Sequence, residues 1–157
     1  LPRPLASIEE LSPVLSKLVE KTGRRVRRAG YKAQGVHLAI SYRDGNFWHK
    51  GVTVSKVLFD SRDIYKIAFK LLNRSPYKKP VRELAVSVFN LLDEPSLQLE
   101  LFESIERKEK IVEAVDAVNE RWGDFVIIPA RMMKTKDVVI DRIAFGGIKE
   151  LEEFTYR

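Results

Sequence analysis

The chain has 157 residues, 45% of them hydrophobic, enough for one domain with a sizeable core and an appendage. The absence of Cys excludes a disulfide framework, thiolate zinc sites and thiol catalysis and fits a reducing cytosol; two His, His37 and His49, offer little to a transition-metal centre. The net charge of +6 is split unevenly, with 18 basic and 6 acidic residues up to Arg82 and 10 basic and 16 acidic residues after it, as expected of a polyanion-binding body joined to a tail with another task.

Leu1-Pro2-Arg3-Pro4 opens the chain as a strand-like or turn-like stretch, and a start without Met suggests a piece of something longer. Ser12-Pro13 reads as an N-cap followed by Pro in the first turn. Val14, Leu15, Leu18, Val19, Thr22, Val26 and Ala29 then recur at helical spacing as far as Gly30, a left-handed stop. Gly23 inside this helix predicts a kink or an earlier end. The opposite face carries Lys17, Lys21, Arg24, Arg25, Arg27 and Arg28.

Two alternating segments follow, Val36 to Tyr42 and Phe47 to Leu58, joined by the hairpin signal Asp44-Gly45-Asn46. Val36, Leu38, Ile40 and Tyr42 share one face and His37, Ala39 and Ser41 the other. In the second strand Val52 and Val54 point inward and His49, Gly51, Thr53 and Ser55 outward. A helix capped by Asp60 or Ser61 buries Ile64, Ile67, Ala68, Leu71 and Leu72 and stops before Ser75-Pro76. Val81 to Leu91 forms a third strand, with Leu84, Val86 and Val88 inward and Glu83, Ala85 and Ser87 outward. This order predicts an α+β fold, an antiparallel sheet with two helices packed on one face and the other face bare. The bare face is small and polar, so a ligand can come close to backbone N–H groups, as a phosphate backbone would; an ordinary solvated sheet face is the competing reading.

Asp93-Glu94-Pro95-Ser96 reads as a linker, and Leu97 to Phe102 as an extended apolar patch. A third helix, Arg107 to Trp122, places Ile111, Val115, Val118 and Trp122 on one face and stops at Gly123. Phe125 to Ile128 is expected to form a short strand ended by Pro129. The domains are therefore drawn at 1–92 for the body and 93–157 for the tail with its helix. No apolar run approaches the roughly 18 residues of a membrane span, and the N-terminus has no signal-peptide architecture, so a soluble, cytoplasmic protein is expected.

Four strings in order resemble the little finger, or polymerase-associated, domain of Y-family translesion DNA polymerases of the DinB/UmuC type. They are Arg27-Arg28-Ala29-Gly30-Tyr31-Lys32-Ala33, His49-Lys50-Gly51-Val52-Thr53-Val54-Ser55, Ala68-Phe69-Lys70-Leu71-Leu72, and Pro80-Val81-Arg82-Glu83-Leu84-Ala85-Val86-Ser87-Val88. The resemblance covers Pro13 to Leu92. It implies that the bare sheet face grips phosphates on both strands of primer-template DNA, and that one more strand precedes the first helix, of which Leu1 to Pro4 would be the end. The implied DNA-contacting residues are Lys50, Gly51, Thr53 and Arg82, with Arg28 and Lys32 as flanking phosphate ligands. Glu83 and Ser87 depart from the family pattern, standing where basic residues are frequent, which implies a weaker grip. Lys50 shares the parity of inward Val52 unless Gly51 makes a bulge.

Gln98-Leu99-Glu100-Leu101-Phe102 is similar to the Gln-Leu-x-Leu-Phe peptide by which bacterial polymerases and repair proteins dock on the sliding clamp. The resemblance implies hydrogen bonding by Gln98 and apolar anchoring by Leu99, Leu101 and Phe102. The competing reading packs these apolar residues beneath the third helix.

The magnesium ions that such polymerases use for nucleotidyl transfer would be held by acidic residues of a palm domain that this sequence does not contain, so no cofactor is expected on this chain. Asp60 with Asp63 reads as a cap and first turn, Asp137 with Asp141 lacks His partners, and Gly146-Gly147 lacks the Lys of a phosphate loop. No Ser, His and Asp set is arranged for nucleophilic catalysis. The leading expectation is a noncatalytic piece of a Y-family polymerase that binds duplex DNA and a bacterial sliding clamp. Its rivals are a free-standing RNA- or single-strand-binding module, which would need exposed aromatics beyond Phe47 and Phe89, and a small complete enzyme.

Overall fold

The computed structural model describes residues 5–76, 79–93, 103–123 and 125–133. Helix α1 runs over Ile8–Arg28, strands β1 and β2 over Tyr31–Tyr42 and Phe47–Leu58, α2 over Ser61–Asn73, β3 over Val81–Asp93 and α3 over Glu103–Trp122. A 3-10 turn at Ala130–Met132 follows. The fold is α+β: one antiparallel sheet in the order β2-β1-β3, with α1 and α2 on one face.

Helix α1 begins a turn and a half earlier than Ser12-Pro13 suggests. Ser7 and Glu10 form a reciprocal capping box, with Ser7 Oγ accepting from the Glu10 N–H at 3.2 Å. Pro13 therefore lies inside the helix, and Ser12 Oγ instead meets the Tyr65 hydroxyl of α2 at 2.7 Å. Gly30, at φ +73°, ends the helix as expected. Gly23 does not stop it. A Cβ there would stand 2.5 Å from Ser61 Oγ, so this Gly serves the close crossing of α1 over the start of α2.

Val36, Leu38, Ile40 and Tyr42 of β1 are fully buried against Leu11, Val14, Leu15 and Val19 of α1 and Ile64, Ala68, Leu71 and Leu72 of α2. Removing this apolar area from water is the main term holding helices to sheet. Leu84, Val86 and Val88 of β3 and Val52 and Val54 of β2 line the margin of the same core. Leu5, also buried, bridges antiparallel to Val81, and its carbonyl accepts the Val81 N–H at 2.8 Å. That bridge carries the sheet past the edge of β3; Leu1 to Pro4, the expected end of a further strand, lie outside the described residues.

Helix α3 docks with a different face from the one its apolar spacing predicts. Ile111 and Trp122 are 47% and 67% exposed, whereas Val112 and Asn119 are buried. The reason is charge: this rotation brings Glu109, Asp116 and Glu120 onto Lys32, Arg27 and Arg28. No strand forms at Phe125 to Ile128. The Asn119 side chain takes the place of a strand partner, accepting the Ile127 N–H at 2.8 Å and donating to the Ile127 carbonyl at 3.1 Å, and Phe125 adopts φ +67°.

Candidate nucleic-acid interface

The face of the sheet turned away from the helices is built from four cross-strand rows, each reading β2, β1, β3: Phe47, Ser41, Glu83; His49, Ala39, Ala85; Gly51, His37, Ser87; and Thr53, Gly35, Phe89. No described helix covers it. Strand alternation produces this surface, because the inward neighbours of these residues, Lys50 and the bulged Arg82 apart, pack on or beside the core. Ala39, Ser41, Thr53, Ala85 and Ser87 give this face small side chains and hydroxyls that an anionic oxygen can reach between the rings it also carries.

Two features of this face were not legible from the strings. His37 Nε2 and His49 Nδ1 lie 3.1 Å apart, a hydrogen bond between neighbouring strands, and the His49 ring in turn lies 5.4 Å from Phe47. Phe89 lies across the small residues of two strands. Its ring occupies the place a Gly35 Cβ would need and passes 3.4 Å from where a Gly51 Cβ would be. Gly51 is thus small on account of Phe89 as well as of anything that approaches from solvent. The parity of these positions was readable, but ring contact across three strands depends on the register.

The structure separates the six nominated residues into three places. Gly51 and Thr53 stand exposed on the bare face. Lys50 does not join them. The ladder runs without interruption through Val36 with Val52, His37 with Gly51 and Leu38 with Lys50, so no bulge forms at Gly51 and Lys50 shares the helix side of edge strand β2 with Val52 and Trp48. Arg82 is the extra residue of an irregularity in the β1 and β3 pairing, between Val81 opposite Tyr42 and Glu83 opposite Ser41. The bulge turns its side chain to solvent, where Nη2 lies 3.4 Å from Glu83.

Arg28 and Lys32 sit on the helix side, at the α1 to β1 corner, and both face α3. Arg28 Nε pairs with Glu120 at 2.8 Å and Lys32 Nζ with Glu109 at 2.5 Å. Beside them Arg27 donates to both carboxylate oxygens of Asp116, at 2.6 and 2.8 Å, and also to the Phe59 carbonyl. The basic face expected on α1 is therefore largely occupied, and Arg24 is buried beneath α3. The exposed cations around the sheet include Arg43 at the β1 turn, Lys50 on edge strand β2, and Arg82, beside Glu83, on β3.

Asp60 and Asp63 play the parts their spacing suggests. Asp60 caps α2, accepting from the Arg62 N–H at 2.8 Å. Asp63 in the first turn accepts from Lys56 and Lys108 at 3.0 and 2.5 Å. Partial burial disfavours its ionised form, but the Lys108 and Lys56 hydrogen bonds outweigh that and hold its carboxyl at about 2. Burial pushes the Glu20 carboxyl up, only partly offset by Ser61 and Arg27. Among the described residues no three His, Cys, Asp or Glu are grouped to hold a metal ion. The Gln98 to Phe102 pentapeptide, Asp137, Asp141 and the Gly146-Gly147 pair lie outside the described residues.

The model of the impB/mucB/samB family C-terminal domain matches residues 1–101. DNA polymerase IV of Pelotomaculum thermopropionicum is 30% identical over 143 residues, which is 90% of this chain and 36% of that protein. DNA polymerase IV of Moorella thermoacetica is 36% identical over 130 residues, 81% of this chain and 32% of that protein. DNA polymerase IV 2 of Bacillus subtilis is 30% identical over 145 residues, 88% of this chain and 35% of that protein. The chain thus spans about a third of the length of these relatives, and the similarity runs past the matched domain and through α3.

Proposed function

The chain belongs to the impB/mucB/samB C-terminal domain family, the C-terminal domain of Y-family DinB/UmuC-type polymerases, and we propose that it holds duplex or primer-template DNA by its phosphates while other domains of a translesion polymerase copy damaged template. The observation that carries this reading is the bare sheet face, with small and polar residues on all three strands between Phe47 and Phe89, Arg43 and Arg82 at its rim, and both α1 and α2 on the opposite side. Gly51 and Thr53 would accept close approach of phosphate oxygens, Arg82 and Lys50 would flank them from the two sheet edges, and Arg28 and Lys32 would extend the grip toward α3. Nucleotidyl transfer and its magnesium would reside in the longer polymerase, and the setting would be the bacterial cytoplasm.

The second part of the proposal is a tether. Gln98, Leu99, Leu101 and Phe102, placed directly after β3, would dock on a bacterial sliding clamp and hold the polymerase near its template. The pentapeptide supports this, together with relatives named DNA polymerase IV.

Phosphate recognition makes a quantitative demand. Log affinity for duplex should fall linearly with log salt at about −0.9 per phosphate neutralised, with little preference between sequences. Arg82→Glu should weaken every duplex alike. Fluorescence anisotropy with two unrelated duplexes between about 50 and 200 mM salt measures both quantities. Salt-independent binding, or strong preference for one sequence, contradicts the proposal.

A further inference from the structure

Helix α3 is held to the body chiefly by charge. It carries Glu109, Asp116 and Glu120 seven and four residues apart, a row about 16 Å long at 1.5 Å per residue. The row faces the α1 to β1 corner. Glu109 takes Lys32 at 2.5 Å, Asp116 takes Arg27 at 2.6 Å and Arg24 at 3.8 Å, and Glu120 takes Arg28 at 2.8 Å. On the α2 side Lys108 reaches Asp60 and Asp63 at 3.3 and 2.5 Å.

The apolar contribution to this docking is small by comparison. Among the described side chains of α3, Val112 is the buried apolar one and Val115 and Val118 are half-buried, while α1 buries Leu11, Val14, Leu15 and Val19 and α2 buries Ile64, Tyr65, Ala68, Leu71 and Leu72. Nor is the seam close-packed. A cleft of about 270 Å³ runs between α3 and the corner, lined by the same Arg27, Arg28, Lys32, Glu109, Asp116 and Glu120. A second cleft of about 460 Å³ separates α3 from the start of α2 and from residues 127–131. The Arg28 to Glu120 pair is about half exposed and so open to salt and to other anions, while the Lys32 and Arg27 pairs are more covered and are screened less.

We propose that α3 is a displaceable acidic cover, its carboxylates occupying the Arg28 and Lys32 cations that DNA phosphates would otherwise take. The inference rests on the DNA-binding reading above. Carboxylate and phosphate offer guanidinium and ammonium the same charge-assisted hydrogen bonds, so a cation bound to α3 is withheld from DNA, and DNA that binds there lifts α3 away. The body then has two levels of grip. One uses the bare face and its rim; the other adds the α1 to β1 corner once the cover is released.

The test uses the full chain and compares two double substitutions of equal charge. Glu109→Gln with Glu120→Gln removes the α3 carboxylates that pair with Lys32 and Arg28 and keeps the Arg27 to Asp116 pair. Glu106→Gln with Glu113→Gln removes two exposed carboxylates of α3 that make no ion pair among the described residues. Anisotropy titration with a duplex at 50 mM salt should show the first variant binding about tenfold tighter than the unmodified chain, with a salt slope steeper by about 1.8, two further phosphates. The control should shift far less. Equal tightening of both variants would reduce the effect to net charge and overturn the cover, as would no tightening by the first variant. Loss of binding in Arg82→Glu would in that event keep the DNA reading intact. Absence of binding by all of these chains would remove both together. Hydrogen exchange gives an independent readout: α3 amides should exchange faster when DNA is bound while those of β1 do not, and unchanged α3 protection contradicts displacement.

Discussion

Gly23 and Ser61 meet where α1 crosses the start of α2, and the contact sets the spacing of the two helices that back the sheet. In an exposed helix, Ala in place of Gly gains roughly 1 kcal/mol. Here the added methyl would meet Ser61 Oγ at 2.5 Å, so Gly23→Ala should destabilise the protein by about 1 to 3 kcal/mol through overpacking. With the hydroxyl removed, the atoms that remain are Arg27 Nη1 at 3.0 Å, the far end of a flexible side chain, and Ser61 Cβ at 3.4 Å. Ser61→Ala should therefore recover most of the loss, and urea unfolding of the four chains in a double-mutant cycle measures the coupling. Asp63 offers a second residue-scale test. Its folded carboxyl lies at about 2 against an ordinary 3.8, so its pairs with Lys108 and Lys56 stabilise fully above about pH 4, and that contribution is lost as pH falls toward 2. Asp63→Asn should cost about 1 kcal/mol at neutral pH, a solvent-screened value, and the difference should shrink over that acid window in thermal melts. The glycine in the helical stretch was legible as an exception. Its purpose was not, because the partner lies 38 positions along the chain, in another helix.

At the scale of elements, hydrophobic period succeeded wherever one face meets the core and failed where charge decides. The alternation of β1, β2 and β3 and the stripe of α2 follow the apolar positions closely, since each buries a face against the same layer. For α1 the Ser12-Pro13 signal lost to a start five residues earlier; the reciprocal box of Ser7 and Glu10 satisfies two end groups, and the helix runs on through Pro13. For α3 the apolar stripe of Ile111, Val115, Val118 and Trp122 is not the docked face, because four basic groups of the body attract the acidic face instead. An element docked in this way should respond to salt. Raising ionic strength to about 1 M should increase hydrogen exchange across α3 and leave α1 and α2 protected, whereas uniform protection would indicate that apolar contact dominates. The pentapeptide Gln98 to Phe102 belongs to this scale too. Apolar anchors in a desolvated pocket are worth roughly 2 kcal/mol each, so Leu101→Ala with Phe102→Ala should lower clamp affinity at least tenfold in calorimetric titration and leave DNA binding nearly unchanged. Simultaneous loss of both activities with a lower melting temperature would assign these side chains to the core.

For the whole molecule, charge separation along the chain becomes opposition in space. The basic residues before Arg82 and the acidic residues after it meet at the seam between α3 and the corner of α1 and β1, so part of the polyanion-binding potential read from composition is satisfied internally. Exposed cations remain at the rim of the bare sheet face, at Arg43 and Arg82, and on the outer surface of α2, at Lys66, Lys70 and Arg74. The α+β class, its two backing helices and the small polar surface were legible because period and turn chemistry are local. The division of the six nominated residues was not, since it depends on which edge a strand occupies and on a bulge at Arg82. The central claim is that DNA phosphates lie against that surface. Amide chemical shifts of the isotope-labelled chain, followed as a short duplex is added at low salt, test it most directly. The account predicts shifts concentrated at His37, Ser41, Gly51, Thr53, Arg82 and Ser87 and reversed by added salt, whereas shifts confined to the outer surfaces of α1 and α2, with the bare face silent, would contradict it.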